Sequence, residues 1–83
     1  MTTIPLSEPL KTGDGRLLKE LTVRPPRVKD LKAAQRTGGT AAEQEVALLA
    51  LLVGLVPEDL DELLVADYKR LQDTFRDLVG DGG

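Results

Sequence analysis

Hydrophobic and polar positions change their period several times along these 83 residues, and each change marks an element boundary. Two-residue alternation runs through Leu17-Leu18-Lys19-Glu20-Leu21-Thr22-Val23-Arg24. It places Leu17, Lys19, Leu21 and Val23 on one side of a strand and Leu18, Glu20, Thr22 and Arg24 on the other. Upstream, Gly13-Asp14-Gly15 carries the glycines that supply positive φ in a tight turn, so residues 1–24 are predicted to form a β-hairpin. Pro5 and Pro9 cannot donate ladder hydrogen bonds, which restricts residues 3–10 to an edge strand.

A helical period takes over after Pro25-Pro26, because proline disfavours helix in the residue before it and is preorganised for a helix's first turn. Val28, Leu31 and then Ala34 or Gln35 predict a short basic helix over 27–36, broken by Thr37-Gly38-Gly39. Thr40-Ala41-Ala42-Glu43 has the form of a capping box and opens a helix over 41–55. Pro57-Glu58-Asp59 puts proline and two acids where the helix dipole favours them, predicting a helix over 58–64. Leu64, Tyr68, Leu71, Phe75 and Leu78 recur at spacings of 4, 3, 4 and 3, predicting an amphipathic helix over 66–79. The pattern alone leaves open whether 58–79 is one helix or two. Gly80 is the expected stop, with 80–83 a frayed tail. The expected fold is α+β, mainly α: an N-terminal β-hairpin followed by three or four short helices, in a single domain over 1–83.

Composition narrows the chemistry. The chain is too short for a second core, and 16 leucines against Tyr68 and Phe75 as the aromatics make that core aliphatic. Without Cys or His there are no disulfides, no thiolate or imidazole chemistry, and none of the usual zinc, copper or haem ligands. Ser7 has no partner base, and there is no Gly-rich phosphate loop, so no catalytic residue and no cofactor is assigned. Glu58, Asp59, Asp61 and Glu62 lack the alternating ligands and glycine of a calcium loop, and read as a solvated helix start rather than a metal site. The Gly82-Gly83 ending invites a sulfur-carrier reading. A helix running almost to Gly80, with at most two strands, argues against the β-grasp fold that reading needs.

The net charge of −3 is unevenly spread, the basic residues concentrating in the first forty positions and the acidic ones in the rest. Arg24, Arg27, Lys29, Lys32 and Arg36 gather around the Pro25-Pro26 joint, where two readings stay open: a charged patch suited to a phosphate or an acidic partner, and, favoured by the acidic balance of the whole chain, an ordinary solvated face. Nucleic acid is not the expected partner, because the pI is about 4.8 and no aromatic is interleaved with the basic residues. Met1-Thr2-Thr3-Ile4-Pro5 lacks the basic and apolar regions of a secretory signal, so a cytoplasmic protein is expected. From Val46 to Val56 only apolar residues and Gly54 occur. As a helix this run would measure about 16 Å, short of a bilayer core near 30 Å, so no membrane association is expected.

That run is the largest anomaly, being apolar nearly all round in a chain too small to surround it easily. Leu48, Leu51, Leu52 and Leu55 form one stripe, beside a ridge of small residues at Ala47, Ala50 and Gly54 that lets a second helix approach closely. Two readings stay open for these seven residues: a surface for partner binding or self-association, and a central helix covered by its own neighbours.

Leu6-Ser7-Glu8-Pro9, a glycine turn, then Leu21-Thr22-Val23-Arg24-Pro25-Pro26 with Asp30-Leu31 following resembles the phage tail assembly chaperone family. So do the Leu/Ala-rich segment Glu43–Leu55, the Val56-Pro57 step and Ala66-Asp67-Tyr68, extending the resemblance over 4–80. The sequence departs from the family at Arg27, where a small or capping residue is usual, at Lys29, where glycine is common, and at Val65, where Ser or Thr would cap a helix. The resemblance implies a non-enzymatic protein of the host cytoplasm, absent from the finished virion, while the small size with a surplus apolar helix favours a homo-oligomer. It would bind the tape measure protein, keep it soluble, and yield it to the tail tube protein. The alternative is a small helical adaptor or antitoxin-like regulatory protein that uses the basic joint.

Overall fold

A computed structural model describes residues 1–80. Strands β1 (Thr2–Lys11) and β2 (Leu17–Val23) form an antiparallel hairpin, followed by helices α1 (Val28–Thr37), α2 (Ala41–Val53), α3 (Pro57–Leu60) and α4 (Val65–Leu78). The architecture is α+β and mainly α. The end of the predicted frayed tail, 81–83, lies outside the described residues.

The hairpin is not a regular ladder. Ile4 pairs with Leu21 and Pro5 with Glu20, but the next pair is Leu10 with Leu18, so that Leu6–Pro9 stand opposite Lys19 alone. Prolines at both ends of this stretch withhold ladder donors, and the chain bulges between them. Across this irregularity the inward side of β2 changes partway along the strand. Leu21 and Val23 are buried, but Leu17 and Lys19, which alternation puts on the same side, are exposed, and Leu18 packs against the core. At the turn only Gly15 has positive φ, at 90°, whereas Gly13 directs its N–H at Asp59.

Helix α1 begins after Arg27 even though arginine cannot accept a capping bond. The Asp30 carboxylate accepts the Arg27 N–H at 2.9 Å and supplies the reciprocal half of a capping box. Of the positions at helical spacing, Ala34 faces the core together with Asp30, whereas Val28 and Leu31 are 68% and 46% exposed. Ala34 packs with Ala47, Leu48 and Phe75, where a small residue lets the two helices approach closely.

Helix α2 is central. Thr40 and Glu43 complete the predicted box, Glu43 N–H donating to Thr40 Oγ1 at 3.1 Å and Thr40 N–H to Glu43 Oε1 at 2.9 Å. It stops at Val53, short of the predicted Leu55, because Gly54 takes the left-handed conformation. Leu55 N–H then donates to Ala50 O at 2.9 Å and Gly54 N–H to Leu51 O at 3.3 Å, which is a Schellman motif. Gly54 is therefore a helix stop, not part of a small-residue ridge.

Helix α3 spans four residues rather than the predicted 58–64. Separate tight turns follow it, Glu62 N–H donating to Asp59 O and Leu63 N–H to Leu60 O, and α4 begins afresh at Val65. Leu49 from α2 and Leu71 from α4 meet Val23 at the fully buried centre, with Ile4, Leu10 and Leu21 of the hairpin and Leu60 of α3 around them.

Candidate partner interface

Each helix carries an acid at its third position: Asp30, Glu43, Asp59 and Asp67. Local pattern accounts for these as helix-start residues, where the dipole favours them. Three of them do more, because they are buried and hold the hairpin at three places. Asp30 takes both guanidinium arms of Arg24 at 2.8 Å, beyond the end of β2. Asp59 accepts the Gly13 N–H in the turn at 2.8 Å. Asp67 accepts the Ser7 N–H and hydroxyl in the bulge and pairs with Arg70.

Burial costs a carboxylate its hydration, and bonds to the charged form repay that cost. The Arg24 bonds, opposed by burial and assisted by the Arg27 N–H, hold Asp30 down at about 2. Burial pushes Asp67 upward, but the bonds from Arg70 and Ser7 outweigh it and leave the group below its ordinary value.

This network divides the basic cluster read from the sequence. Arg24 is committed to Asp30, whereas Arg27, Lys29, Lys32 and Arg36 are exposed and have no ion-pair partner among the described residues. Lys29, Lys32 and Arg36 recur at helical spacing along one outer side of α1. Asp30, the one acid of that helix, is turned inward, so the outer side carries positive charge alone.

The seven α2 residues are also divided. Ala47, Leu48, Ala50, Leu52 and Leu55 are buried in the protein's own core and Gly54 ends the helix. Leu51, at 38% exposure, is the large apolar side chain of the set that reaches solvent. The apolar run is thus covered mainly by its own neighbours.

Uncovered apolar surface lies elsewhere. Pro26, Arg27, Val28 and Leu31 face Leu78 and Val79 across a cleft of about 230 Å³. Val79 is 50% exposed, and Leu78 reaches from the cleft to the core. Helical spacing marks Val28 and Leu31 as apolar positions of α1 without saying which way they face. The cleft depends on the rotation of α1 about its axis, and no signal within α1 specifies that rotation.

Tyr68 donates to Glu45 Oε1 at 3.2 Å, and Gln72 donates to the same oxygen at 2.6 Å. Burial and the Glu45 charge push the Tyr68 phenol up to about 12, so it stays protonated and serves as a donor. Among the described residues no cluster of three or more acidic side chains is placed to hold a metal ion, and no helix is long and apolar enough to cross a membrane.

The sequence model of one family, described as phage tail assembly chaperone proteins, E, or 41 or 14, matches residues 3–80. No curated protein and no solved structure matches the chain.

Proposed function

The chain belongs to the phage tail assembly chaperones, and from that premise we propose that it binds the tape measure protein of its phage and keeps it soluble for tail tube assembly. The observation that carries this reading is the cleft between α1 and the end of α4. Val28, Leu31 and Val79 stay in water although the protein has a complete core of its own, and apolar surface held open in this way is suited to another chain. A long helical protein with apolar stripes aggregates unless those stripes are covered, and a small cleft covers them loosely enough for tube subunits to displace it. The role is binding rather than catalysis, and its place is the host cytoplasm during assembly. Self-association belongs to the same reading, joining the basic outer side of α1 to the acidic surface around Glu58 and Asp61 of another copy, and high salt loosens it.

Co-expression tests the reading. The tape measure protein is expected in the soluble fraction with this chain and in the pellet without it, and the two are expected to co-elute on gel filtration. A tape measure protein equally soluble alone and never co-eluting would overturn it. Salt-dependent retention of DNA in its place would move the reading to a regulatory adaptor.

A further inference from the structure

We propose that the α1–α4 cleft takes one face of an amphipathic α-helix whose apolar stripe is flanked by carboxylates on the side toward α1. This deepens the chaperone reading and rests on it only for the source of that helix. Val28 and Leu31 stand three residues apart and form one wall, and Leu78 and Val79 at the end of α4 form the other. At about 230 Å³ the cleft falls below the size of ordinary small-molecule sites, and it suits aliphatic side chains projecting from a docked helix.

Charge sets the flank. Arg27 lines the cleft, and Lys32 adjoins Leu31 on the outer side of α1 that also carries Lys29 and Arg36. None of the four has an ion-pair partner among the described residues, and Asp30, which could have neutralised them, is withdrawn into the Arg24 pair. A chain of net charge −3 thus presents a locally positive rim beside uncovered apolar side chains. That rim attracts an acid-flanked helix and repels a lysine-flanked one.

The test uses the full chain and two synthetic helical peptides with the same leucine stripe, one flanked by glutamates and the other by lysines. Fluorescence anisotropy is expected to show about tenfold tighter binding of the glutamate peptide at low salt, with the preference shrinking as salt rises. Amide shifts on binding should centre on Val28, Leu31 and Val79. The double variant Lys29→Glu, Lys32→Glu should reverse the preference. Leu31→Asp should weaken both peptides, and circular dichroism should show that these exposed substitutions leave the fold intact. Equal affinities, shifts centred on Leu51 instead, or variants that dissolve a dimer without changing peptide binding would each overturn the proposal. Tape-measure solubility separates the two levels. If the variants protect the tape measure as well as the natural chain does, the docking face is wrong and the chaperone role stands. If the glutamate peptide binds this cleft while the tape measure is left insoluble, the reverse holds.

Discussion

Both carboxylate oxygens of Asp67 accept the backbone N–H of Ser7, at 3.1 and 3.0 Å, joining α4 to the β1 bulge across 60 positions of sequence. The Ser7 hydroxyl adds a third bond at 2.8 Å. The bulge takes Ser7 out of the ladder register, and burial leaves Asp67 in need of donors, so each group supplies what the other lacks.

Asp67→Asn should therefore destabilise the protein by about 2 kcal/mol, the range for losing charge-assisted hydrogen bonds, and Ser7→Ala by about 1 kcal/mol because the backbone bond survives it. Urea denaturation of the single and double variants should give a combined loss smaller than the sum, since both substitutions remove one shared bond.

Acid should weaken the fold through the same carboxylates. Asp30 sits at about 2 when folded against an ordinary 3.8, and Asp67 is also lowered, so the folded state binds protons less readily than the unfolded chain. Their stabilisation is fully present above the ordinary carboxylate value and disappears as pH falls through the folded values. Denaturant midpoints followed by circular dichroism should drop between about pH 4 and about pH 2. Asp30→Asn should lower stability at neutral pH and flatten that drop. A midpoint indifferent to pH across this window would contradict the assignment.

Gly54→Ala should cost about 1 kcal/mol and Gly54→Asn less, because the left-handed stop penalises a Cβ that asparagine tolerates better than alanine. An added Cβ would meet no atom within 4 Å, so the loss is one of backbone conformation rather than of packing. Thermal melts of the two variants give the comparison.

Neighbours on α2 should behave in opposite ways. Leu52 is almost fully buried, and Leu52→Ala should cost about 3 kcal/mol, whereas Leu51→Ala should stay within about 0.5 kcal/mol. Loss of tape-measure solubility in a Leu52 variant would therefore follow unfolding, to be seen in the melt before any binding assay.

Local chemistry made much of this protein legible. The glycine turn, the Pro25-Pro26 joint, the Thr40–Glu43 box and the spacing of Leu64 to Leu78 each act through backbone preferences or bonds within about one helical turn. Such signals lie side by side in the sequence, so the hairpin and the helix starts after Arg27 and Thr40 could be read directly. The length of α3 could not, because the turns after Leu60 compete with helix by small margins that packing decides.

Tertiary structure decided which way the elements face. Periodicity names Val28, Leu31 and Ala34 or Gln35 along α1, but the Arg24–Asp30 pair and the close approach of Ala34 to α2 leave Val28 and Leu31 in water. Sequence likewise places Asp67 in a first turn. Only the bulged path of β1 brings Ser7 within reach of it. By itself, then, the sequence determined where the chain turns, coils and stops, because those choices depend on neighbours along the chain. The open cleft at Val28, Leu31 and Val79 and the three buried carboxylates beneath the hairpin exist because burial and charge pairing act between residues that only folding brings together.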